Sequence, residues 1–174
     1  FVVYAFYKES GRVQVDKITG CPGSSNAALI ILVDRTEDYT QQGISELQSR
    51  VLKEIDGLQS YDRVSIFSVS EISKRNLKPL FDKCVPDLNP DAAVANKNQV
   101  IKEFKRDFLG SNNSGDANDF KEGTVLRAIS KRYNDSDESP VAQVITDLTL
   151  DTDRFSSIEN KKFLIFSDML EHSD

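Results

Sequence analysis

The sequence predicts an α/β domain built on a doubly wound, mostly parallel sheet with helices on both faces. Three observations carry this expectation. Two runs, Ala27–Val33 and residues 162–167, are dominated by consecutive apolar residues, the pattern of strands covered on both faces. Helical periodicity separates the strand-like runs, and alternation of strand and helix specifies such a sheet. Both apolar strands also run directly into an aspartate, Asp34 and Asp168. Ligands in open α/β sheets sit at the carboxyl ends of the strands, where strand order reverses, so the two carboxylates are expected on one rim.

In chain order, residues 1–7 (Phe-Val-Val-Tyr-Ala-Phe-Tyr) precede Lys8. They read as a strand, with Gly11 and the alternating Val13-Gln14-Val15 offering the second arm of a hairpin. The alternative is the trimmed end of a signal or anchor helix. Residues 1–26 are accordingly an N-terminal strand or hairpin extension, and residues 27–174 the domain proper. The strand 27–33 is bounded by Gly23-Ser24-Ser25-Asn26 and by Asp34. Ile44, Leu47, Val51, Ile55 and Leu58 then recur at spacings of three and four, which makes one stripe of a helix. Thr40 suits its N-cap and Gly57 its stop.

Residues 62–69 form a second strand, rich in β-branched and aromatic residues, which completes a βαβ unit. Residues 77–85 give a third, with Pro79 pointing to an edge position or an irregular start. Asn89-Pro90-Asp91 opens a helical stretch with Ile101, Phe104 and Phe108 on one face, and 110–116 is a loop. A short helix with Leu126, Ile129 and Tyr133 inward and an acidic link at 134–138 come next. Ser139-Pro140 is a capped helix start, and the inward face is Val141, Val144, Ile145 and Leu148. The last strand ends on Asp168.

Composition narrows the function classes. A chain of 174 residues with 39% hydrophobic and 29% charged residues is long enough to bury a core and too apolar for a disordered segment. The formal charge of −6 argues against nucleic acid, whose phosphates call for a basic face. No apolar run approaches the ~20 residues that cross a bilayer, so a membrane is expected only through an anchor upstream. Cys21 and Cys84, each followed by proline, suffice for one disulfide and are too few for an all-cysteine zinc site. They pair in an exported protein and remain thiols in the cytosol; the sequence does not choose.

The chemistry is concentrated after the first strand, in Asp34-Arg35-Thr36-Glu37-Asp38. In a tight turn, positions 34, 36 and 38 curl toward a common centre and present a carboxylate, a hydroxyl and a second carboxylate. Hard cations such as Mg²⁺ take oxygen ligands of this kind. The structural alternative is that Asp34 caps the following helix and Thr36 satisfies loop backbone.

Asp34-x-Thr36-x-Asp38 after a hydrophobic strand resembles the D-x-S-x-S motif of von Willebrand factor A domains, the first part of their metal-ion-dependent adhesion site. Glu122-Gly123-Thr124-Val125-Leu126 resembles the family's loop threonine, and residues 163–168 resemble the later strand whose terminal aspartate completes the site. The resemblance runs from about Ala27 to the end of the chain. It is also similar to bacterial proteins in which this Rossmann-like fold follows an N-terminal anchor.

The resemblance implies Mg²⁺ or Mn²⁺ held directly by the hydroxyls of Thr36 and Thr124, with Asp34 and Asp168 acting through water. It further implies a non-enzymatic protein-binding module, for adhesion or assembly, whose partner offers an acidic residue to the metal. Two departures stand out. Asp38 occupies the place of the family's second serine; turned inward, it neutralises the metal and weakens capture of an external carboxylate. The family also carries about one more strand and two helices after the final aspartate, where this sequence has residues 169–174.

Other chemistries find less support. A haloacid-dehalogenase-like phosphatase has Asp-x-Asp after such a strand, and Thr36 at the third position lacks that general acid; a metal-dependent phosphoesterase or hydrolase on the same rim is the runner-up. A metal-free structural module with a vestigial site is the third reading. His172 is the single histidine and reads as a solvated terminus. No nucleophile elbow, Gly-x-Gly-x-x-Gly or Walker loop occurs. Lys161-Lys162 and Lys102, Lys105 and Arg106 read as helix and strand surface. The cysteines and the aromatic opening point to the periplasm or cell surface, with anchoring upstream; the cytoplasm is the alternative.

Overall fold

A computed structural model describes residues 13–34, 39–69, 78–88, 97–109, 141–150 and 152–167. The elements in chain order are β1 (Ala27–Val33), α1 (Gln41–Asp56), β2 (Arg63–Ser68), β3 (Phe81–Cys84), α2 (Lys97–Leu109), α3 (Val141–Thr149), the single turn α4 (Thr152–Phe155) and β4 (Asn160–Phe166). The strands form one mixed sheet in the order β3-β2-β1-β4. β1 pairs in parallel with β2 and with β4, while β2 and β3 are antiparallel. The chain is therefore α/β.

β1 is the centre of this arrangement. Its odd-numbered residues, Leu29, Ile31 and Val33, enter one core with Leu47, Val51 and Ile55 of α1 and Phe104 of α2. Its even-numbered residues, Ala28, Ile30 and Leu32, enter a second core with Val141, Val144 and Leu148 of α3 and with Phe67, Phe155 and Ile158. The period of two along a strand divides seven residues between two faces. A fully buried aliphatic side chain contributes about 1.5–3 kcal/mol, so this one strand supplies a large share of both cores.

α1 begins where the capping pattern places it. The Thr40 side chain accepts a hydrogen bond from the Gly43 N–H, and Gly57 closes the helix with its N–H turned to the carbonyls of Glu54 and Ile55. On α2, Phe104 packs edge-to-face on Phe81 with ring centroids 5.9 Å apart, and Ile101 lies against the same core. Lys105 pairs with Asp56 at the end of α1. The expected helix at 124–133, the Ser139-Pro140 start, the arm 1–7 and the side chain of Phe108 lie outside the described residues.

Two sequence expectations are corrected. The third strand does not span 77–85 but runs from Phe81 to Cys84 on the sheet edge. Pro79 has no N–H to give a ladder, and pairing starts beyond it, with the Leu80 N–H donating to Ile66. Asp62 is not a strand residue; its carboxylate accepts from the Gln59 N–H and closes the turn before β2. Val15 bridges to Pro22 in a short reversal, while its expected hairpin partner, the arm 1–7, lies outside the described residues.

That reversal sits against the Cys84 end of β3. Asp16 Oδ1 accepts from the N–H groups of Ile18 and Thr19 and from the Thr19 hydroxyl, and Gly20 takes a left-handed φ of 69°. These bonds, the Thr19 amide first, hold the Asp16 carboxyl below its ordinary value. The turn is attached to the sheet twice. The Cys84 N–H donates to Thr19 at 2.8 Å, and Cys21 and Cys84 are joined by a disulfide. Covering that end of an edge strand hides backbone groups that otherwise template association.

The β2–β3 pair is fastened on its other face by Arg63. Its guanidinium meets both carboxylate oxygens of Asp82, at 2.8 and 2.7 Å, and donates to the Arg154 carbonyl at 2.9 Å. The Ser65 hydroxyl donates to the same carboxylate, and Arg63 lies over the Phe155 ring.

Three outcomes are expected. Asp82→Ala leaves a mostly buried guanidinium and the Ser65 hydroxyl without their acceptor and costs about 2–3 kcal/mol in urea unfolding. Arg63→Met with Asp82→Leu costs clearly less than Asp82→Ala, because neither charge is then stranded. Opening the 63-residue Cys21–Cys84 loop with a double serine substitution lowers stability by about 2–4 kcal/mol. Calorimetric melting of the two forms measures that difference, and equal melting temperatures would contradict it.

Candidate functional site at the carboxyl rim

Asp34 is the first residue past β1 and is buried, with 5% of its surface exposed. The sheet order puts its strand between β2 and β4, so the residue stands at the carboxyl end of the central parallel pair, β1 and β4. Its backbone N–H continues the ladder by donating to the Phe166 carbonyl at 2.8 Å, while the Val69 N–H donates to Val33 on the other side. A carboxylate out of water requires donors to replace hydration. One comes from the far end of the chain: the Ser167 hydroxyl donates to Asp34 Oδ2 at 2.9 Å.

A second group reaches the same spot from α1. Tyr39, immediately before the N-cap, donates its phenol O–H to the Phe166 carbonyl oxygen at 2.9 Å. That oxygen receives both the Asp34 amide and the Tyr39 hydroxyl, which occupies both of its lone pairs. The end of β1, the end of β4 and the start of α1 therefore meet at one atom.

Asp34 is not the cap of α1, because Thr40 fills that role. Of the residues expected at the site, Asp34 is described; Thr36, Asp38, Thr124 and Asp168 lie outside the described residues. Among the described residues, no group of three or more His, Cys, Asp or Glu side chains is placed to hold a metal. Asp34 and Ser167 bring a carboxylate and a hydroxyl together, both hard oxygen donors of the kind Mg²⁺ and Mn²⁺ accept. The donor chemistry present thus fits such an ion.

Comparison with family models, with curated proteins and with solved structures returns no match for this chain.

Sequence reasoning passed over Ser167 and Tyr39. Ser167 stood next to the expected Asp168, and a hydroxyl one residue from a rim carboxylate was a usable signal. Tyr39 carried none, since its partner is 127 positions away.

The opposite end of the sheet holds a shallow groove of about 330 Å³ lined by residues including Leu58, Glu54, Asn160, Lys161 and Lys162. Lys162 and Glu54 pair across it at 2.6 Å. Lys162 is more than half exposed, so this pair contributes well under about 1 kcal/mol. Lys161 and Lys162 belong to the exposed start of β4.

Ser167→Ala takes one donor from a buried carboxylate, and the expected cost is about 1–2 kcal/mol. Urea unfolding at neutral pH measures it, and a Ser167→Thr variant that keeps the hydroxyl should recover most of the loss.

Proposed function

We propose that residues 27–174 form a von Willebrand factor A-like domain, a doubly wound sheet whose carboxyl rim binds Mg²⁺ or Mn²⁺ and engages another protein. The observation that carries this reading is the buried Asp34 carboxylate held by Ser167 at the junction of β1 and β4. An adhesion-type site needs an anionic anchor at this junction, facing the chain that leaves the later strand. The strand order, with β1 and β4 parallel neighbours, supports the doubly wound arrangement.

In this proposal Thr36 and Thr124 would hold the ion through their hydroxyls, and Asp34 and Asp168 would anchor its water ligands. The bound ion would supply a Lewis-acidic centre for an acidic residue of the partner. The chain's own part is to orient the donors and limit water: β1 delivers Asp34, and Ser167 fixes its carboxylate. Asp38 governs the charge at the rim, and an inward Asp38 would moderate the demand for an external carboxylate. We further propose an oxidising location, the periplasm or cell surface. The Cys21–Cys84 disulfide supports such a compartment, and no helix among the described residues is long and apolar enough to cross a membrane.

A metal-free structural module is the second reading, favoured by the internal hydrogen bond that Asp34 already receives. Calorimetric titration of metal-free protein with Mg²⁺ and Mn²⁺ separates the two. Binding is expected, with Thr124→Ala abolishing it and Asp34→Asn weakening it roughly 10- to 100-fold, the usual effect of losing an outer-shell partner. No heat at millimolar metal, or a Thr124→Ala protein that binds as well as its parent, would sink the adhesion-type mechanism.

A further inference from the structure

The bond from Tyr39 to Phe166 joins the start of α1 to the last residue of β4, across 127 positions. Tyr39 is partly buried against the core that α1 shares with β1, and its ring lies beside Gly43, where an added Cβ would stand 3.6 Å from Tyr39 Cδ1. Packing therefore holds the ring, and its hydroxyl reaches the Phe166 carbonyl. That acceptor, the Phe166 carbonyl oxygen, is the one that receives the Asp34 amide. Ser167, the next residue, donates to the Asp34 carboxylate. A displacement of the Phe166 carbonyl would consequently disturb a backbone contact and a side-chain contact of Asp34.

We infer that Tyr39 is a positioning residue for the rim: through the Phe166 carbonyl, its hydroxyl fixes the orientation of Asp34. Toward the proposed metal site, this makes the phenol a determinant of affinity without being a ligand. The inference about affinity rests on the metal-binding reading; the positioning of Asp34 does not.

Tyr39→Phe is the test, because it retains the packed ring and deletes only the hydroxyl. In metal-free protein, hydrogen exchange of the Asp34 amide should quicken about five- to tenfold, the scale of one hydrogen bond, with the Ile31 and Ile66 amides unchanged. Mg²⁺ affinity by calorimetry should fall by a similar factor. An unchanged Asp34 amide overturns the positioning role, and a faster amide combined with parental Mg²⁺ affinity overturns the phenol's part in affinity. If the parent itself binds no Mg²⁺, the metal reading falls on that measurement alone, while the exchange rates still decide whether Tyr39 positions Asp34. A general loss of stability would show as faster exchange at Ile31 and Ile66 and would also count against it.

Discussion

β1 has no side that meets water, and most of the described structure follows from that. It is hydrogen-bonded to a parallel strand on each edge and packed under helices on each face. Such a position admits only an apolar sequence, with every backbone group committed to a neighbouring strand. It also fixes the first polar residue beyond it. Asp34 cannot retreat into solvent without breaking its ladder bond to Phe166, and so emerges as a buried carboxylate that has to be supplied with donors. The site candidate is thus a consequence of where the most hydrophobic strand stops.

What was legible in the sequence was what is decided locally. The limits of β1, the stripe of α1, its Thr40 cap and its Gly57 stop depend on spacing and on side chains within four residues of one another. The inward face of α3 belongs with these. The polar contacts that unite the elements depend instead on topology. Ser167 and Asp34 are 133 positions apart and Tyr39 and Phe166 are 127, and nothing in either neighbourhood names the other. Arg63 and Asp82 are nearer, at 19 positions, yet their pairing requires the antiparallel register of β2 and β3. The fourfold donor set expected beside Asp34 lies outside the described residues, so its geometry adds nothing to either side of that comparison.

The two edges of the sheet are treated differently. β3 is short and meets the turn at 15–22 at its Cys84 end, where both the backbone and a disulfide attach the two. The disulfide's contribution is largely entropic, since closing a long loop restricts the unfolded chain. It also keeps the Thr19 carbonyl opposite the Cys84 amide, where a small domain gains protection from edge pairing. β4 is longer and carries its exposed lysines at the amino end, away from Asp34. Its apolar half, residues 163–166, is only partly covered, and this half borders the rim. Charged residues at one end of the strand and half-covered apolar residues at the other give β4 a solvated end and a more apolar end.

That polarity bears on how the proposed rim would meet a partner. A divalent ion beside a single anchoring carboxylate keeps net positive charge and attracts an acidic residue; each further inward carboxylate reduces that attraction. Asp34 already receives a hydroxyl donor, which disperses part of its charge before any metal arrives. With Asp168 and an inward Asp38 the local anions would outnumber the charge on the ion, and Coulomb attraction alone would no longer select an acidic partner. Recognition would then depend more on the neighbouring apolar end of β4 than on capture of a carboxylate. On the proposed reading, an inward carboxylate at position 38 would therefore change the kind of surface this rim presents, and not merely the strength with which it holds a cation.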